Sequence, residues 1–146
     1  MDNPPARLRG KPSWLISQAS AYGHRLVTEA LATENARRYH YSILAALDEF
    51  GPASQATLGR RCGIDRSDVV AMVNELAAQG HLDRTPDDAD RRRNVITLTA
   101  TGRQQLTRLE ALVTSAQHTL LDPLSADERR QLTGLLSRVV EHHGLP

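Results

Sequence analysis

Chemistry-bearing side chains crowd into one short stretch, "DDADRRRNVITLT" at 87–99, where Asp87, Asp88 and Asp90 lead directly into Arg91, Arg92 and Arg93. A run of guanidinium groups suits phosphate oxygens, guanine edges and narrow grooves, because each carries a planar fork of donors and a permanent charge. The same residues also suit a solvated turn in which the arginines pair with the neighbouring acids. The stretch alone leaves both readings open. Arginine dominates the whole chain, since Lys11 is the only lysine; a GC-rich coding sequence explains that as well as a ligand does. Bulk charge decides nothing, because the net charge is +1 and the segment 55–93 holds as many acids as arginines.

Other chemistries find little support. There is no nucleophile elbow, no phosphate-cradling glycine loop and no His-Glu metal motif, so an enzyme is not expected. Cys62 is the only cysteine, which precludes an internal disulfide and fits a reducing compartment. The six histidines include the pair His142-His143, but no spacing matches a metal-ligand motif. No cofactor and no metal site are expected. The N-terminal "MDNPPARLRGKPSW" has no apolar run of signal-peptide length behind it, and no stretch is long and apolar enough to cross a bilayer. The expected location is cytoplasmic, without membrane attachment. A length of 146 residues suits one domain, or a subunit that completes its core by dimerising.

The elements that hold the charged stretch follow from periodicity. Ser13 is placed to cap a first helix reaching about Thr33, with Leu15, Ala19, Tyr22, Leu26 and Ala30 at helical steps. A second helix runs through "RRYHYSILAALDEF", with Ile43, Leu44, Leu47 and Phe50 inward, and Gly51-Pro52 ends it. Next, Ser54 caps a short helix from Gln55 to Cys62, Gly63-Ile64-Asp65 turns, and Asp65 caps a longer helix that exits at Gly80. Leu58, Cys62, Ile64, Val69, Val73 and Leu76 are spaced to share one small core, a helix-turn-helix layout. Residues 81–86 and 94–99 alternate like two strands of a hairpin, with the arginines at its tip. Thr99 then caps a long helix to about Leu121, whose Leu106, Leu109, Val113, Ala116 and Leu120 form a heptad seam. After Pro123, Ser125 and Glu128 make a capping box for a last helix with Leu132, Leu135, Leu136, Val139 and Val140 inside.

An α-helix fits the major groove, and a β-turn tipped with arginine beside it is shaped for the neighbouring minor groove. The run "DADRRRNVITLTATG", following a helix-turn-helix and "LAAQGHLDR", resembles the winged-helix signature of the MarR family of bacterial transcription regulators. The matching residues are Asp90, Arg91 and Arg92, then Val95 or Ile96, Leu98, Thr99 and Gly102. Arg93 and the "DDAD" turn depart from the usual pattern. The resemblance implies a mainly α fold with a small β-hairpin: a winged helix-turn-helix at 35–99, flanked by N- and C-terminal dimerisation helices at 1–34 and 100–146. It further implies that Arg92 enters the minor groove, held by Asp65, while Asp90 braces the wing. On the recognition helix it selects Arg66, Ser67, Asp68, Ala71 and Asn74, with Ser54 and Gln55 donating to phosphates. Arg66 suits a guanine edge and Asn74 an adenine.

The implied function is a sequence-specific regulator, a repressor acting as a homodimer on palindromic double-stranded DNA. Dimerisation is also expected because the terminal helices carry apolar seams with nothing else to cover them. Regulators of this family commonly release DNA when a small, often aromatic and acidic, effector binds. Trp14, His24, Arg25, Tyr39 and His40 are the candidate effector residues, with a core or surface role as the alternative for each. Zinc- or oxidant-responsive regulation, the latter through Cys62, and a non-specific architectural or protein-docking winged helix are the competing readings.

Overall fold

The computed structural model describes residues 2–145. A one-turn helix, α1 (Ala6–Arg9), leads into the long α2 (Pro12–Ala32). Pro12 opens α2 because its missing N–H costs nothing in the first turn. Ser13 therefore lies inside the helix, and it is not the cap expected of it. The chain turns through Asn35 (φ 53°) into α3 (Arg38–Phe50), which buries Ile43, Leu44 and Leu47. Phe50 departs from the expected inward face and is 56% exposed. It is the last residue before the left-handed Gly51 (φ 79°), and the guanidinium of Arg61 lies 4.5 Å from its ring centroid.

A two-residue strand, β1 (Ala53–Ser54), precedes α4 (Gln55–Cys62) and α5 (Arg66–Ala78). Gly63 takes the left-handed turn between the helices (φ 64°). At Gly59 a Cβ would stand 3.0 Å from the carbonyl oxygen of Ile64, so glycine lets the turn close onto α4. The expected small core forms: Leu58, Ile64, Val69, Val73 and Leu76 are buried, with Cys62 half-buried at its edge. β2 (Leu82–Pro86) and β3 (Asn94–Leu98) form the antiparallel hairpin, in the register Leu82↔Leu98 to Pro86↔Asn94. β1 adds to the other side of β3 through Ala53↔Ile96, giving the order β1-β3-β2. Two residues carry no periodicity, so this strand had no signal in the sequence; its existence is a tertiary effect.

α6 (Ala100–Leu120) starts as expected, with the Thr99 hydroxyl accepting from the N–H of Gly102 at 3.0 Å. Its heptad seam, expected at a dimer interface, is used within the chain. Leu109 and Ala116 are buried, α6 packs along α2, and Leu120 reaches to 3.2 Å from where a Cβ on Gly23 would lie. α7 (Ala126–His143) opens on the Ser125–Glu128 capping box, but it buries none of its residues. Leu135, Leu136, Val139 and Val140, expected inside, are exposed because no element of the same chain lies over them. Leu15, Ile16 and Tyr22 on the outer side of α2 are exposed too.

Candidate nucleic-acid interface

The start of α4, the first turns of α5 and the tip of the β2–β3 hairpin enclose an open groove of about 1140 Å³. Ile64, Val69 and Val70 supply apolar lining, and Arg60, Arg66, Arg92 and Arg93 supply four guanidinium groups. Ser54 and Gln55 stand at one end, where α4 presents its unpaired N–H groups. The Ser54 oxygen accepts from the N–H of Thr57 at 3.2 Å, so its capping duty is its first role. Arg60 points into this groove and donates to Thr57 Oγ1 at 3.2 Å, whereas Arg61 turns away onto Phe50.

Asp65 caps α5 as expected. Its carboxylate accepts from the N–H of Asp68 at 3.0 Å and the hydroxyl of Ser67 at 2.8 Å. The N–H of Asp68 above all, with Ser67, holds its carboxyl below the usual carboxylate range. The expected tie from Asp65 to Arg92 is absent, because Asp65 is committed to its own helix. Arg92 instead donates to Asp90, from Nε at 3.1 Å and Nη2 at 3.4 Å, and Arg93 Nε lies 3.8 Å from the same carboxylate.

Asp90 braces the wing. It also accepts the N–H of Arg92 at 3.1 Å, and the Arg92 side chain above all holds its carboxyl below the usual range. Asp87 turns the opposite corner by accepting the N–H of Ala89 at 2.9 Å, while its own N–H donates to the Arg93 carbonyl at 2.9 Å. The acids thus shape the turn, and the arginines project from it: the Arg92 side chain is 91% exposed. Arg91 is exposed and makes no ion pair among the described residues.

Along α5, the residues Arg66, Ser67, Ala71 and Asn74 are exposed, and Asp68 is half-buried. Asn74 is not free: Arg84 of β2 donates from Nη1 to its Oδ1. The flank of α5 next to it is anchored by Glu75, which accepts from Arg37 Nη1 at 3.0 Å and from His40 Nε2 at 2.6 Å. Neither Arg84 nor Glu75 was singled out from sequence. The signal for Arg84 was available, since alternation along β2 puts it on the same face as the buried Leu82.

Comparison with known proteins places this geometry. The MarR family profile matches residues 36–93, the span of the winged helix-turn-helix. The PcaV transcriptional regulator from Streptomyces coelicolor is 30% identical, with 92% of this chain and 99% of that one covered and a TM-score of 0.75. The chain belongs to the MarR family. PcaV has also been solved in complex with its natural ligand. The transcriptional repressor CouR, bound to a 23-mer DNA duplex, aligns over 95% of this chain and 99% of its own at 25% identity, with a TM-score of 0.85. A putative transcriptional regulatory protein for the hcr operon of Thauera aromatica is 34% identical over 68% of this chain, a match that spans 60% of that relative's length.

In this MarR-family chain the five candidate effector residues are spread along α2 and the start of α3. Trp14 and His24 are ten residues apart on a continuous helix, which separates them by about 15 Å along its axis and turns them to different sides. Arg25 is exposed, 5.5 Å from the ring of Tyr22. Tyr39 and His40 lie past the other end of α2, at the start of α3. His40 is 2% exposed and has both nitrogens occupied, Nδ1 accepting the N–H of Arg37 at 3.0 Å and Nε2 donating to Glu75. It is a structural histidine that caps α3 and holds α5, with no nitrogen left for an effector. Burial, more than any other influence, pushes its pKa down. Cys62 is half-buried, its thiol donating to the Ser42 carbonyl at 3.4 Å, and burial pushes its pKa up, which disfavours the reactive thiolate. Among the described residues no group of three or more His, Cys, Asp or Glu side chains is placed to hold a metal ion, and no helix is long and apolar enough to cross a membrane.

Proposed function

We propose that this protein is a sequence-specific DNA-binding transcriptional regulator: a cytoplasmic, homodimeric repressor that binds palindromic double-stranded DNA and is released by a small aromatic or acidic ligand. The observation that carries the reading is the groove in which the N-terminal half of α5 and the wing arginines face the same side. A recognition helix with exposed Arg66, Ala71 and Asn74 is presented for the major groove, and Arg91, Arg92 and Arg93 project beside it for the minor groove. Residues 35–99 form the DNA-binding region. The segments 1–34 and 100–146 form the dimerisation region, supported by the uncovered apolar side chains of α2 and α7. PcaV and CouR, solved with a ligand and with DNA, support the same reading.

Gel shifts compare DNA from upstream of the protein's own gene with a scrambled duplex at two salt concentrations. Preferential binding of the upstream DNA at both is expected; equal affinity for the two duplexes would refute sequence-specific recognition. Effectors are screened by the fluorescence of Trp14, the only tryptophan, with aromatic acids as titrants. A response that accompanies DNA release supports the ligand class. Release by zinc or peroxide instead would overturn it.

A further inference from the structure

Arg84 stands outside the groove described above, yet it closes a slot continuous with it. Arg66, Val70 and Asn74 recur every four residues and form one stripe along α5. Arg66 and Val70 line the groove together with Arg92, Arg93 and Asn94 of the hairpin. Asn74, one turn further along, accepts a hydrogen bond from Arg84 Nη1. On the hairpin side, Asn94 pairs with Pro86, and Arg84 lies two residues further from the tip, on the same face of β2 as the buried Leu82. α5 and β2 diverge from a tight turn, where Gly80 is left-handed (φ 77°) and the His81 N–H donates to the Leu76 carbonyl at 2.9 Å. The space between helix and hairpin is therefore a slot, open at the wing tip and bridged by Arg84 and Asn74 toward its base. From Arg66 to Asn74 it runs about 12 Å along the helix axis.

The positive charge at this bridge is uncompensated. Arg92 and Arg93 share the carboxylate of Asp90, whereas Arg84 makes no ion pair among the described residues and has a neutral partner. Asp83, its neighbour in sequence, belongs to the other face of the strand. Arg84 and Asn74 are both exposed. A guanidinium carries five N–H donors, so one bond to an amide orients it and leaves most of its donors for a ligand.

Duplex geometry says which ligand. A major groove and the minor groove beside it are divided by one sugar–phosphate strand. With α5 in the first and the wing arginines in the second, that strand passes through the slot. We infer that Arg84 is a phosphate-contacting residue that grips this dividing strand, with Asn74 as the residue that positions its guanidinium. The contact fixes how helix and wing straddle the strand and carries no base information. This deepens the proposed function and rests on α5 and the wing occupying adjacent grooves.

Fluorescence anisotropy of full-length wild type, Arg84→Met and Arg84→Lys tests this, on the upstream duplex and its scrambled counterpart, over a salt series from about 50 to 200 mM. Each phosphate contact contributes about 0.9 to the slope of log affinity against log salt, and a dimer holds two copies of Arg84. The slope for Arg84→Met is expected to fall by about 1.8 on both duplexes, with the ratio of their affinities unchanged. Arg84→Lys keeps the charge and should keep the slope. In a second arm, single phosphates of the upstream duplex are replaced by neutral methylphosphonates. At least one replacement in each half-site should weaken wild type and leave Arg84→Met unaffected. An unchanged slope in Arg84→Met, an equal fall in Arg84→Lys, an altered ratio between the duplexes, or no replacement to which Arg84→Met alone is indifferent would each overturn the inference. Wild type that binds neither duplex would instead refute the DNA-binding reading on which it rests.

Discussion

Replacing Gly102 by alanine tests the joint between the wing and the dimerisation helices. Gly102 is buried in the first turn of α6, and a Cβ there would stand 1.9 Å from the carbonyl oxygen of His81 and 2.8 Å from Leu98 Cδ1. An ordinary carbon–oxygen contact is about 3.3 Å, so α6 must retreat by about 1.4 Å. That retreat acts on three hydrogen bonds at the same place. The Thr99 N–H donates to the His81 carbonyl at 3.2 Å, and the Thr99 and Thr101 hydroxyls donate to the Gly80 carbonyl at 2.7 and 2.8 Å. Losing them costs about 3 kcal/mol at about 1 kcal/mol each, and residual overpacking adds about 1–3 kcal/mol. Alanine's better helix propensity returns at most about 1 kcal/mol. The net expectation is a loss of about 3–5 kcal/mol, measured by urea unfolding followed by circular dichroism at fixed protomer concentration. A variant as stable as wild type, or more so, would show that helix propensity outweighs the contact and would refute this account of why glycine stands there.

Arg92→Ala should weaken operator binding by about 1–3 kcal/mol in fluorescence anisotropy, whereas Arg61→Ala, its side chain turned onto Phe50, should change it little; equal losses would mean the groove is not the interface. Val139→Arg on the uncovered face of α7 should halve the mass seen by light scattering, and an unchanged mass would place the dimer contact elsewhere. Because burial lowers the pKa of His40 in the folded chain, the unfolded chain binds more protons just below the ordinary value of 6.5, so stability should fall as pH drops through that value toward the folded pKa. Thermal melts between about pH 7.5 and 5.5 should show this, and His40→Asn, which keeps an acceptor for the Arg37 N–H, should flatten the dependence; an equally steep variant would assign it to another group.

How much was legible in the sequence depended on how local the cause was. Ser54, Asp65, Thr99 and Ser125 cap the helices they were expected to cap, because capping needs only a side chain and the N–H three residues on. The hairpin and the brace by Asp90 are local in the same sense. Errors arose where the partner lay far along the chain. The α6 seam and the α7 stripe look equally apolar in sequence, yet α2 covers the first and nothing in the chain covers the second. His40 was a plausible effector residue until Glu75, thirty-five positions away, took its Nε2. Asp65 and Arg92 were paired by resemblance, but each found a nearer partner.

The backbone of His81 joins the elements that carry the two DNA-reading surfaces. The N–H of His81 donates to the Leu76 carbonyl at the end of α5, at 2.9 Å, and the carbonyl of His81 accepts from Thr99, at the junction of β3 and α6. One residue therefore joins the recognition helix, the wing and α6. With Gly102 leaving no slack against that carbonyl, α6 cannot slide along its axis without carrying the base of the wing and the exit of α5. On the far side of α5, Glu75 is fixed to α3 through His40 and Arg37, so the recognition helix is held at both flanks by elements that pack on α6. A displacement of α6 would therefore move the base of the wing and the exit of α5 together.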